Sequence, residues 1–169
     1  IALPSIAADL NMNAVGISWV AMAFLLSSAV FLVPLGKLAD ILGRVRIYIA
    51  GNLVVAVSSL FCALAKDSGV LITARVFQGI GSAMMFGTNM AIITSIFPPN
   101  QRGKAIGTMV TAVYLGLSAA PVLGGILTQT FGWQSIFFLT VPFSLFTAIA
   151  TAVIIRTDWR EARNESFDM

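Results

Sequence analysis

Few charged or strongly polar residues of this chain lie in or beside its apolar sequence, and each is suited to different chemistry. Asp40 is a lone carboxylate among Lys37, Arg44 and Arg46, placed to pair with an arginine or to meet a helix N-terminus. Gly36, Asp40 and Arg44 follow at steps of four, so a continued helix would align them on one face. Arg75 stands inside a long apolar run, where a guanidinium costs about 2.5–3.5 kcal/mol at a helix centre and less nearer the edge. It falls about two turns from the end of that run, near enough for snorkelling to relieve part of the cost. From Arg75, the residues Gly79, Ala83, Gly87 and Ala91 continue at steps of four, with Gln78, Ser82 and Asn89 beside them. A row of small residues suits close helix contact, so Arg75 is expected to face protein or a cavity. Other chemistries are excluded from this chain. It has no histidine, and its single Cys62 cannot form an internal disulfide. No nucleophile–base pair or metal-ligand cluster is visible, so neither an enzyme, a metal nor a cofactor is expected.

The elements that position these residues follow from composition. Hydrophobic residues are 58% of the 169 positions, charged residues 10%, and mean hydropathy is +0.93. A soluble domain is typically about a quarter charged, so the solvent of this chain is largely lipid. Only helices and closed barrels satisfy their backbone in hydrocarbon. Barrel strands alternate apolar and polar residues over about ten positions, whereas these apolar stretches run about twenty without alternation. The fold class is therefore an all-α polytopic membrane protein. Five spans are predicted: 15–35, 47–65, 69–97, 105–127 and 136–155. Turn residues separate them at Asn11–Asn13, Lys66–Gly69, Pro98–Asn100 and Gly132. The chain opens on Ile1 within an apolar segment, and is read as beginning at the end of a further helix. Residues 1–156 form a helical bundle with that first helix truncated, and 157–169 begin a charged linker.

Charge placement gives an orientation. Lys37, Arg44, Arg46, Arg102, Lys104, Arg156, Arg160 and Arg163 fall on one side of the predicted spans, and Lys66 on the other. Under the positive-inside rule the basic side is cytoplasmic, in the cell membrane, with the tail from 157 inside. The net charge of +3 therefore reads as membrane topology and not as a nucleic-acid surface. Trp19, Trp133 and Trp159 fall near span ends, where they suit interfacial anchors or packing equally.

Three stretches, in order and spacing, resemble one family. The run from Gly36 to Arg46, GKLADILGRVR, with fixed positions at Gly36, Asp40, Gly43, Arg44 and Arg46, is similar to the signature loop between helices two and three of the major facilitator superfamily. Glycines 36 and 43 would let a short connection turn between closely packed helices. Arg75, Gln78, Gly79 and Gly81 resemble that superfamily's fourth-helix pattern. Gly107, Gly116, Ala120, Pro121 and Gly124 resemble the fifth helix of its drug:proton antiporters, with Ala120 in place of a glycine. Thr108, Ala112, Gly116, Ala120 and Gly124 form one small-residue face suited to a close crossing, and Pro121 removes a backbone donor and predicts a kink. The flanks, at Ile1–Ile6, Trp19–Val20, Pro34, Gly132–Phe137 and Pro142, resemble the fourteen-helix branch. Phe24 departs from it where tyrosine is usual, and Gln134 where arginine is usual.

The resemblance implies most of the amino-terminal half of a transporter, the end of helix one plus helices two to six. Two such halves would surround a midplane cavity. The Gly36–Arg46 loop would latch the cytoplasmic side, with Asp40 pairing with Arg44 or Arg102. The fifth-helix glycines would hold the outer side closed, and Arg75 with Gln78 would serve the cavity and proton coupling. The function implied is secondary transport of a small molecule, with proton-coupled efflux of drugs or metabolites foremost. A sugar or organic-acid importer or uniporter, and a transport-inactive helical scaffold, are the alternatives. Substrate, protons, the lipid bilayer and a carboxy-terminal half would be the partners. No Asp or Glu falls within the five spans, so a proton-carrying carboxylate is expected elsewhere.

Overall fold

The computed structural model describes residues 2–155. Six helices follow in order, α1 (Leu3–Asp9), α2 (Ala14–Leu42), α3 (Arg44–Ala63), α4 (Ser68–Ile96), α5 (Pro99–Phe131) and α6 (Gln134–Ile154), with no strand among the described residues. Five of them, α2 to α6, are long and apolar enough to cross a membrane. Arg156, Trp159, Arg160 and Arg163, with the linker read from 157 onward, lie outside the described residues.

Local chemistry sets the helix ends. The Asn13 side chain accepts from the Gly16 amide at 2.8 Å, and Asp67 accepts from the Val70 amide at 2.9 Å. Each thereby satisfies one of the orphan N–H groups that open a helix. Pro99 opens α5 where the amide it lacks would have no partner. Gly132 closes α5 at φ 82°, a left-handed conformation that glycine reaches without a Cβ clash.

The largest departures from the sequence reading fall at two places. The stretch from Gly36 to Arg46 is not a loop, because α2 runs through it to Leu42 and α3 starts at Arg44. Gly43 alone makes the turn, at φ 111°. Residues 37–42 include no helix breaker, and the Asp40–Arg44 pair closes across the junction at 2.8 Å, so the helix gains more by continuing than by unwinding. Similarly, α5 begins six residues earlier than its apolar core, at Pro99 rather than Ala105, since Arg102 and Lys104 are themselves good helix formers.

Packing is uneven. The α2–α4, α3–α4 and α3–α6 contacts are extensive, whereas α5 touches α4 and α6 sparsely and buries none of its residues. At one end, Ile6, Val20, Cys62, Leu71, Ala74, Trp133 and Phe137 form a buried cluster that gathers the α1–α2, α3–α4 and α5–α6 turns. Trp133 is 2% exposed. Its indole N–H donates to the Asp9 carboxylate at 2.9 Å, and its ring meets Phe137 edge-on. Of the two uses open to Trp133, anchor or packing, the structure takes packing. At the other end, Arg44 donates to the Ser95 hydroxyl at 3.3 Å and so links the α2–α3 junction to the end of α4.

Candidate functional site

The interior site is built on the crossing of α2 and α4. Both helices present rows at four-residue steps, Val20, Phe24, Ser28, Leu32 and Gly36 on α2, and Arg75, Gly79, Ala83 and Gly87 on α4. Small residues let the backbones meet. A Cβ at Gly79 would stand 2.5 Å from the Phe24 carbonyl oxygen, and one at Gly87 would stand 3.3 Å from the Gly36 Cα. Ala83 is completely buried. On the α3 side, Gly81 and Gly51 make an equally close pair, with each missing Cβ within 3 Å of the other's carbonyl oxygen. Thus α4 lies against α2 along one row and against α3 along another.

This packing carries a polar chain through the bundle. The Arg75 Nε–H donates to the Val20 carbonyl oxygen at 3.0 Å, and an Nη1–H donates to Gln78 Oε1 at 2.7 Å. Gln78 Nε2 donates in turn to the Ser59 hydroxyl at 2.7 Å. The Phe24 ring covers the guanidinium, with Cζ 4.5 Å from its centroid. One cation therefore ties together α2, α3 and α4. Hydrogen bonds from charged groups contribute about 1.5–3 kcal/mol each, so these contacts with protein offset much of its insertion cost, beside the partial relief by snorkelling expected from the sequence. A guanidinium has five N–H donors, and among the described residues three of those on Arg75 have no acceptor.

A second polar contact pins α3 to α6. Asn52 is fully buried, donates to the Tyr48 carbonyl at 2.9 Å, and accepts from the Thr147 hydroxyl at 2.5 Å. Sequence reasoning singled out none of Phe24's ring contact, Ser59, Asn52 or Thr147 for this work. Their only signal was polarity inside apolar spans, which serine, threonine and asparagine also show when they bond their own helix. Asn89, read as lying beside the Arg75 row, approaches the Met109 sulfur on α5 at 3.4 Å. A groove of about 760 Å³ between α3 and α4 lies elsewhere and is lined mainly by apolar residues including Leu53, Val57, Phe61, Val70 and Phe77.

The residues read from the sequence separate into three places. Asp40, Gly43 and Arg44 meet at the α2–α3 junction, whereas Gly36 lies earlier on α2, against Gly87 of α4. Asp40 pairs with Arg44 rather than Arg102, whose Nε–H instead donates to the Phe97 carbonyl at the end of α4. Arg46 lies on the first turn of α3. Arg75, Gln78 and Gly79 form the interior site. The α5 group stands apart, because a Cβ at Gly107 or Gly116 would meet nothing within 4 Å, and one at Gly124 would meet only the Ile136 side chain at 3.9 Å. Ala120 and Pro121 are likewise exposed. Pro121 lies inside a continuous α5. The expected crossing on this face has no partner helix among the described residues.

Comparison with known proteins identifies the family and the fold. A family model described as Major Facilitator Superfamily matches residues 1–168. The riboflavin transporter RibZ of Clostridioides difficile is 34% identical over 169 residues, which are all of this chain and 37% of that protein. The multidrug resistance protein Stp of Mycobacterium tuberculosis (strain CDC 1551 / Oshkosh) is 33% identical over 170 residues, covering all of this chain and 32% of its own length. The chain thus spans about a third of the length of these curated relatives. Among solved structures, a bacterial homolog of the human lysosomal transporter Spinster, inward-facing and unoccupied, superposes with a TM-score of 0.72 at 21% identity. That match covers 99% of this chain and 40% of the other, and it shows a shared fold.

Proposed function

The chain belongs to the Major Facilitator Superfamily, and we propose that it forms most of the amino-terminal half of a proton-coupled exporter of small organic molecules. Its five apolar spans make it an integral membrane protein. The observation that carries the reading is Arg75, a half-buried cation held by α2 and by Gln78 of its own helix, with part of its donor set lacking an acceptor among the described residues. An intramembrane charge in such a setting marks a substrate or proton pathway. In this reading the unused N–H groups face a bound anion or a carboxylate on another part of the transporter, which would carry the proton. The junction at Asp40, Arg44 and Arg46 works as the cytoplasmic latch, and Arg102 fixes the neighbouring helix end. The open small-residue face of α5 at Gly107, Gly116, Ala120 and Gly124 supplies the contact with the carboxy-terminal half. Lipid and that second half complete the cavity.

Export is favoured by the relative named as a multidrug resistance protein. A second reading, movement of a flavin-like metabolite, is favoured by the relative named as a riboflavin transporter. The intact transporter, reconstituted in liposomes with an imposed pH gradient, distinguishes them. Export predicts ethidium flux that collapses when the gradient is dissipated. Flux should fall at least tenfold in Arg75→Gln, as expected when an interaction worth about 1.4 kcal/mol in the transition state is lost. Riboflavin flux without ethidium flux would select the second reading. Flux of both that ignores the pH gradient would remove proton coupling.

A further inference from the structure

We propose that Phe24 is a positioning residue, whose ring face fixes the plane of the Arg75 guanidinium and thereby decides where its unused N–H groups point. The two hydrogen bonds of Arg75 leave one freedom. Nε is held by Val20 and one Nη by Gln78, and the planar group can still tilt about the line joining these contacts. Phe24 closes that freedom, because its ring centroid lies 4.5 Å from Cζ, within the distance at which a guanidinium is attracted to a π face. The residue is also unusually well rooted. Its own carbonyl would be 2.5 Å from a Cβ at Gly79, so the ring grows from the tightest point of the α2–α4 crossing. Val20, one helical turn earlier on α2, supplies the carbonyl that takes Nε–H. One face of α2 therefore holds the cation by an edge and by a face. For a half-buried cation, an aromatic face replaces part of the lost solvation with a contact that an apolar helix can offer. An aliphatic residue of similar bulk would fill the space and leave the plane free.

Transport consequences of this inference rest on the proposed function, while the contact itself can be tested independently. The experiment introduces phenylalanine with one, two and three ring fluorines at position 24 of the intact transporter, which weakens the π face stepwise at nearly constant volume. A contact with the cation predicts an apparent melting temperature that falls stepwise in wild type and stays flat in Arg75→Met. Equal responses in the two backgrounds would overturn the proposal. The transport arm follows ethidium flux in the same series, expected to fall monotonically to about a tenth, with Phe24→Tyr within twofold of wild type and Phe24→Leu near the trifluorinated value. Melting temperatures that respond while flux stays flat would show a packing role only and overturn the positioning role. Should wild type move neither ethidium nor riboflavin, the transport reading fails, and the melting series still decides whether Phe24 holds Arg75.

Discussion

Substituting alanine for Gly79 adds one methyl group at the α2–α4 crossing and should destabilise the bundle more than any comparable change on α5. The new Cβ would stand 2.5 Å from the Phe24 carbonyl oxygen and 3.1 Å from the Ser28 nitrogen, and it would overlap the Ser27 hydroxyl. A rotamer change frees the hydroxyl, but the carbonyl and amide are backbone atoms and cannot step aside. With carbon–oxygen contact normally near 3.4 Å, the helices must part by about 1 Å. Overpacking of this kind costs about 1–3 kcal/mol, here at the upper end because the obstacle is rigid. Alanine returns about 1 kcal/mol of helix propensity, leaving a net loss of about 2 kcal/mol. For a unit of this size that lowers an apparent melting midpoint by about 4–8 °C. Gly116→Ala is the internal control, since a Cβ there meets nothing within 4 Å and only the propensity gain remains. Melting of the two detergent-solubilised variants, followed by fluorescence-detected gel filtration, measures the difference. Equal midpoints would falsify the close crossing and, with it, the account of how Arg75 reaches Val20.

Asp40→Asn should leave expression and melting nearly unchanged, because a pair with one partly exposed member contributes about 1 kcal/mol or less. Flux should nevertheless fall several-fold through an altered balance of inward- and outward-facing states, and wild-type flux in reconstituted liposomes would remove Asp40 from the latch. Single cysteines at Ser68 and Gln101 in a Cys62→Ala background should react with an impermeant thiol reagent from opposite sides of the membrane. Labelling of both from outside intact cells would overturn the orientation drawn from Lys37, Arg44, Arg46, Arg102 and Lys104.

What the sequence made legible was whatever depends on periodicity and composition. Apolar runs of span length, separated by Asn11–Asn13, Lys66–Gly69, Pro98–Asn100 and Gly132, located five helices to within a few residues at most ends. The errors fell where a polar stretch continues a helix, because hydropathy reports lipid contact and not backbone conformation. Residues 36–42 and 99–104 are helical but polar at intervals, so hydropathy alone places both in connections. The row of small residues following Arg75 was visible as a pattern. Its partner row on α2 was not, since Val20, Phe24, Ser28 and Leu32 share no size or polarity that marks them. Nor does Ser59 or Thr147 differ in sequence from Ser58 or Thr140. Among the described residues Ser58 and Thr140 bond their own helix, whereas Ser59 accepts from Gln78 of α4 and Thr147 donates to Asn52 of α3. Pairing across helices is a property of the packed bundle, and a single strand of sequence does not encode which of several hydroxyls will meet a partner.

Two small-residue rows of similar spacing have opposite fates here, and the contrast bears on which helices can shift against one another. Gly79, Ala83 and Gly87 on α4 are used up against α2, and Gly81 against α3. With Arg75, Gln78 and Ser59 bonded across the same three helices and Asn52 bonded to Thr147 on α6, these elements are held by backbone contact and by polar links. In lipid, where no hydrophobic force separates one apolar surface from another, such contacts are the principal source of cohesion. Helices α2, α3, α4 and α6 therefore have little room to shift against one another without breaking them. The row on α5 offers the same chemistry and finds no partner among the described residues. A face that permits backbone approach gains little from lipid, whose tails cannot enter the notches as a helix ridge can. Motion that leaves the α2–α4 crossing intact and changes what lies against Gly116, Ala120 and Gly124 would therefore cost least.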